Sequence, residues 1–228
     1  MTGHSIQIQF SPVGIDSSMT LALFDKHFPG RRAQLKKDIL YHALCCFNQD
    51  GIEATTIEQI RQASDASVGA IYYHFGDKEG IIAQLYFLAL QDQLQHRQQY
   101  LERATSLETF VKAIIFSYID WVSQHQELAR FQAGSRFYVV KSQYKHQLKD
   151  MNQQRNQAIF NLLKILCPTD ILQQLPLHVI LSLILGPVQH YVKLWLVGRV
   201  KAAPAQHQHA FADAAWRAVS PYFSNSVC

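Results

Sequence analysis

The sequence predicts an all-α fold: an N-terminal three-helix domain containing a helix-turn-helix, followed by a larger helical domain. Three observations carry this prediction. Glycine and proline are sparse, at 10 and 7 of 228 residues, and the stretches between them are rich in Leu, Ala, Gln and Lys. Apolar residues recur at three- and four-residue steps, the period of an amphipathic helix, and no run of short alternating strands appears. Between Phe47 and Ile82 two helix starts also lie close enough that only a tight turn can separate them. A chain of this length can bury a core in one or two domains.

Residues 1–30 lack clear periodicity and end in the breaker Phe28-Pro29-Gly30. They read as an N-terminal arm, partly disordered or loosely packed. From Arg31 the helical pattern begins, with Leu35, Ile39, Leu40, Ala43, Leu44 and Phe47 on one face, and Gly51 ends it. Thr56-x-x-Gln59 reads as a capping box opening a helix of about two turns. Ser64-Asp65-Ala66 interrupts that helix, and Ser67 caps a second one running from Val68 to His74. The second helix of such a pair can enter the DNA major groove. Its first turn (Ser67, Val68, Gly69, Ala70) is small enough for close backbone approach. Its far end supplies Tyr72, Tyr73 and His74, with Lys78 beyond, all phosphate-contacting types.

The run Phe47-x3-Gly51-x3-Thr55-Thr56-x3-Ile60, then Ser67-x-Gly69-x-Ile71-Tyr72-Tyr73-His74-Phe75-x2-Lys78, resembles the DNA-binding domain of the TetR family of bacterial transcriptional regulators. It departs from the usual pattern at Arg61, Asp65 and Ala66. Asp65 stands where a glycine usually makes the turn, and Asp tolerates the left-handed conformation better than most residues. Arg61 has two readings, a phosphate contact or a solvated side chain. The resemblance implies a DNA-binding domain over residues 31–80 and an effector-binding and dimerisation domain over 81–228. It also implies a repressor, acting as a homodimer, that leaves a palindromic double-stranded DNA operator when a small molecule binds. Thr56, Tyr72, Tyr73, His74 and Lys78 are expected to hold phosphates, while Ser67, Val68, Gly69 and Ala70 face bases. With few long polar side chains there, readout should lean on thymine methyls and DNA shape.

Charge gives this reading little help. From Arg31 to Gly80 six Lys or Arg face seven acids, a weak electrostatic footprint for a DNA binder. Arg31, Arg32, Lys36 and Lys37 do cluster at one helix start, where backbone N–H groups can also hold phosphates. Affinity should therefore rely on fit and dimerisation more than on bulk charge. Cys45, Cys46, Cys167 and Cys228 show no metal or disulfide spacing and read as reduced thiols in a cytoplasmic protein. The first residues lack the basic start and long apolar run of a signal peptide.

Asp77 caps a helix from Lys78 to about Arg103 whose polar far half is long enough to bridge into the second domain. Ser106-Leu107-Glu108 opens the next, followed by a short helix through Phe131, a break at Gly134, and a long helix from about Arg136 to Leu166. Lys141, Lys145 and Lys149 form a basic stripe on it, read as a solvated face. Leu177 to Val197 is nearly apolar all round, but Pro187, Gln189, His190 and Lys193 interrupt it too soon for a membrane span. Such a helix is expected in a core or at a subunit interface. The last helix, from about Ala205 to Val219, alternates small and aromatic residues. These two resemble the helices through which TetR-family subunits pair.

No Glu-x-x-His, G-x-S-x-G, G-x-G-x-x-G or P-loop is present, so enzyme readings do badly and no catalytic residue or cofactor is assigned. His207 and His209 sit on different helix faces, and no metal site is expected. A ligand pocket in the second domain is implied chiefly by the family resemblance, and the candidates are aromatic with a few polar groups: Phe116, Tyr118, Trp121, Phe137, Tyr138, Gln189, His190, Tyr191 and Trp195. Pro187, in mid-helix, argues for a local opening. A different class stays open, namely an interaction module that uses this fold to bind protein, with DNA as a secondary partner.

Overall fold

The computed structural model describes residues 17–166 and 175–224, and among these every regular element is helical. The first helix, α1 (Ser17–His27), lies where a loosely packed arm is predicted. That expectation is corrected for these residues: Thr20, Leu23 and Phe24 are buried, a three- and four-residue spacing that puts them on one face. Residues 1–16 lie outside the described part. α1 rests on α2 (Gln34–Asp50), which follows a 3-10 turn at Arg31–Ala33.

α2 buries Ile39, Leu40, Ala43, Leu44 and Phe47 as its periodicity predicts, whereas Leu35 faces solvent. Lys37 is buried and pairs with Asp25 of α1. Lys36 lies over the Phe28 ring, 4.7 Å from its centroid. Of the predicted basic cluster, Arg31 and Arg32 are the two left fully exposed. α3 (Ile57–Ser64) and α4 (Val68–Phe75) complete the domain, closing Ile60, Ile71 and Phe75 into the same core.

α5 (Lys78–Leu101) runs from this domain into the next. Its near end buries Ile81, Ile82, Leu85, Leu88 and Ala89. The far half, polar in sequence, also turns inward and buries Asp92, Gln93 and Arg97. α6 (Leu107–Gln124) and α7 (Gln126–Lys141) pack directly on it, and α8 (Lys145–Leu166), α9 (Leu177–Leu196) and α10 (Gln208–Ser224), the last preceded by a 3-10 turn at Pro204–His207, complete the domain. Gly134 does not break the chain but lies inside α7. A lone helical glycine costs only about 1 kcal/mol, which packing on either side overrides. The break comes instead at Ser142, whose Oγ donates to the Val139 carbonyl and accepts from the Tyr144 N–H. Such local bonds compete with the helical ladder.

α9 is not buried all round in the single chain. Ile180, Ile184, Val188, Val192 and Leu196 make one four-residue stripe against the bundle, and Gly186, Pro187, Gln189 and His190 face outward. By length and composition alone this helix could cross a membrane, yet it packs here against α6, α7 and α10. The two domains share contacts through α7: Phe47 stacks on Phe131 with ring centroids 5.6 Å apart, and the Asn48 amide donates to the Glu127 carbonyl.

Candidate nucleic-acid interface

The helix-turn-helix is assembled from local bonds that the sequence announces. The Thr56 hydroxyl accepts from the Gln59 N–H at 3.2 Å while the Gln59 side chain accepts from the Thr56 N–H at 2.7 Å, completing the predicted box. Thr55, its neighbour, is buried and donates to the Gly51 carbonyl at 2.8 Å. Asp65 ends α3 at φ 51°, the left-handed conformation expected of it. Arg61 forms a two-pronged pair with Glu58 on the same helix, at 2.9 and 2.8 Å. The Ser67 hydroxyl accepts from the Ala70 N–H and starts α4. Asp77 does the same for Gly80 and α5.

On α4, Ile71 and Phe75 point into the core, which turns Val68, Gly69, Tyr72 and Tyr73 outward. Tyr73 is 86% exposed, an unusual position for a large aromatic side chain with no partner domain over it. A methyl added at Gly69 would find only the Ser67 hydroxyl, 4.0 Å away. Ser67 is exposed, while Ala70 and His74 are half-buried. This surface is small at the start, aromatic at the end, and free of acidic side chains along the helix.

Lys78 differs from its predicted role. Its ammonium donates to the carbonyls of Ile52, Glu53 and Thr55 at 2.9, 3.2 and 2.8 Å. An ammonium has three protons, and all three are used in holding the α2–α3 loop against the start of α5. The phosphate assignment for Lys78 is thus replaced by a structural one.

The nine ligand candidates do not converge. Trp121 is fully buried, its indole N–H bonded to the Asp92 carboxylate at 3.0 Å. Phe137 is 60% exposed beneath the Lys141 ammonium, and the Tyr138 hydroxyl donates to Glu53 of the first domain. Phe116 packs on His209, and Tyr191 packs on His207 and Phe211 while donating to the Ala202 carbonyl. Trp195 is half-buried, and Pro187, Gln189 and His190 are exposed on the outer side of α9. Tyr118 remains inside the domain beside Arg97, and burial pushes its pKa up to about 12. A cleft of about 650 Å³ lies instead where α7, α8 and the start of α9 meet. Sequence reasoning missed it because its walls come from three successive helices, and their packing, not their composition, decides whether a space is left between them. Its one sequence signal was the Lys145/Lys149 stripe, read as solvated.

Cys45 and Cys46 are free and half-buried, and burial pushes both thiols up, away from the reactive thiolate form.

The fold and this surface together define a class: helical proteins in which a helix-turn-helix domain is joined by one long helix to a helical C-terminal domain. Residues 39–85 match the family described as bacterial regulatory proteins, tetR family, and the helix-turn-helix domain belongs to it. The HTH-type transcriptional repressor AcnR of Corynebacterium glutamicum is 30% identical over 97 residues, 42% of this chain and 49% of AcnR. The chain thus spans about half the length of the curated relatives it matches. Across most of the chain the likeness is one of fold. A TetR family transcription regulator from Marinobacter aquaeolei aligns with TM-score 0.66 at 16% identity, covering 82% of this chain and 96% of that one. FadR from Bacillus subtilis, solved in complex with stearoyl-CoA, aligns with TM-score 0.58 at 14% identity, covering 79% and 97%.

Proposed function

We propose that this protein is a DNA-binding transcriptional regulator, a homodimer whose two α4 helices enter successive major grooves of a palindromic operator about one turn apart. The observation that carries the proposal is the outer face of α4, where Val68, Gly69, Tyr72 and Tyr73 stand in solvent on a helix fixed from behind by Ile71 and Phe75. Ser67, Val68, Gly69 and Ala70 face bases. Thr56, Tyr72, Tyr73 and His74 hold phosphates.

The C-terminal domain pairs the subunits through the outward faces of α9 and α10 and takes a small effector that lowers affinity for DNA. The stearoyl-CoA complex of the FadR neighbour supports an effector site in this domain. A mechanical route exists at the α7–α8 corner. Tyr138 on α7 bonds Glu53, and a methyl built at Gly80 would lie 3.2 Å from the Tyr144 hydroxyl. A ligand that moves this corner pushes on the start of α5, and coupling of about 1–3 kcal/mol per site is typical of such devices.

The test is a gel shift against the DNA flanking the gene, with Tyr73→Ala and Gly69→Glu beside the wild type. Both variants should fold normally and lose affinity. If both bind as the wild type does, α4 is not the reading head, and a protein-binding role for the fold gains by that result.

A further inference from the structure

Arg97 is 6% exposed, its Nε has no hydrogen-bond partner, and among the described residues no carboxylate pairs with it. Buried charges are normally paired, because leaving water uncompensated is costly. Burial lowers its pKa to about 10, with repulsion from Arg155 adding to the effect, so it is still a cation at neutral pH. Arg155, on α8, among the described residues hydrogen-bonds only to its neighbour Asn156, at 3.3 Å. Arg136, on α7, is near enough to Arg155 to repel it, and donates to the Tyr86 hydroxyl at 3.4 Å. Three guanidinium groups from α5, α7 and α8 therefore form a ladder from the core outward, with the phenols of Tyr118 and Tyr86 and the Asn156 amide beside them.

The ladder ends at the α7–α8 cleft. Arg136, Lys145 and Lys149 line it, Val140, Leu148 and Phe160 give it an apolar part, and among the described residues no acidic side chain lines it. Its volume, about 650 Å³, lies within the usual range for small-molecule sites.

We infer that this cleft binds an anionic amphiphile, an apolar chain ending in a carboxylate or phosphate, whose charge is met by Arg136 with Arg155 and Arg97 behind it. This rests on the proposal that the C-terminal domain takes an effector, and it names the chemistry of that effector. The missing counter-ion of Arg97 is supplied by the ligand, so the free protein carries an unpaired charge that binding relieves.

Decanoate, decyl phosphate and uncharged 1-decanol, each titrated calorimetrically into the full chain, test this. The two anions should bind at least about tenfold more tightly than decanol, the loss expected on removing a charged hydrogen-bonding group, and the tighter of the two identifies the head group. Arg97→Met and Arg155→Gln should each raise the Kd of the better anion about tenfold or more. Arg97→Met without ligand should melt no lower than the wild type, because it removes an unpaired buried charge. Decanol binding as well as the anions, no binding of any of the three, or folded variants that bind the anion as the wild type does would each overturn the inference. DNA release is scored separately by gel shift. Anion binding that leaves DNA affinity unchanged supports the site and overturns the effector reading, while anion-driven release that persists in both variants overturns the site.

Discussion

The carbonyl oxygen of Phe75 occupies the place where any side chain on Gly80 would begin: a methyl there would sit 1.9 Å from it. The last residue of α4 and the first turn of α5 are thus in direct backbone contact, and the angle between reading helix and connecting helix is set by the absence of one carbon atom. Gly80→Ala must push the two helices apart. Overpacking of this kind costs about 1–3 kcal/mol, occasionally more. Urea unfolding should show that loss, and DNA affinity should fall in the fraction that remains folded.

Lys78 and Tyr73 separate two reasons for losing DNA binding. Lys78→Met keeps the apolar stem but removes three bonds to the carbonyls of Ile52, Glu53 and Thr55. Stability should drop by about 1.5–3 kcal/mol, the usual range for hydrogen bonds to a charged group. The slope of log affinity against log salt should stay as in the wild type, because no phosphate contact is lost; a fall of about 0.9 would restore the phosphate role. Tyr73→Ala should do the reverse, leaving stability within about 0.5 kcal/mol while weakening binding.

Gly186, exposed on the outer face of α9, has open space where a side chain would stand. If subunits pair through this face, the glycine lets two helices approach closely. Gly186→Glu should leave the far-ultraviolet circular dichroism unchanged and shift the sedimentation coefficient towards that of a monomer. DNA affinity should fall with it, since a palindrome needs both copies.

The helix-turn-helix was legible because its signals are local. Thr56 and Gln59, Ser67 and Ala70, Asp77 and Gly80 each lie three residues apart, and a cap of that kind needs no knowledge of the rest of the chain. The role of Lys78 was not legible, because its partners lie some 25 residues earlier and a lysine near a recognition helix has an obvious other use. The scatter of the ligand candidates was not legible for a related reason. Aromatic side chains such as Trp121 and Tyr191 mark burial wherever it occurs, and packing decides whether a space is left beside them. α1 was legible and overlooked: Thr20, Leu23 and Phe24 carry a helical spacing, hidden by the breaker Phe28-Pro29-Gly30 that follows.

Asp92 holds α1 to the second domain, and that attachment should weaken in acid. Its carboxylate accepts from Lys26 of α1 at 2.7 Å and from Trp121 at 3.0 Å, with His27 and His125 nitrogens 3.6 and 3.7 Å away. Burial alone would raise the Asp92 pKa, but the bonds from Lys26 and Trp121 outweigh it and hold the group below its ordinary value. His125 is pushed down by burial, against the pull of Asp92 and with repulsion from His96 and Lys26. Both folded-state values are depressed, so each contributes stability above its unfolded value that is lost as pH falls. The His125 part goes first, below its ordinary value of 6.5, and the Asp92 part below 3.8. Hydrogen exchange should therefore report faster opening of α1 at pH 5 than at pH 7.5, beyond the intrinsic pH effect on exchange. His125→Phe should flatten that difference, and Asp92→Asn should loosen α1 at both pH values; α1 protected equally in all three proteins would show that the contact carries no weight.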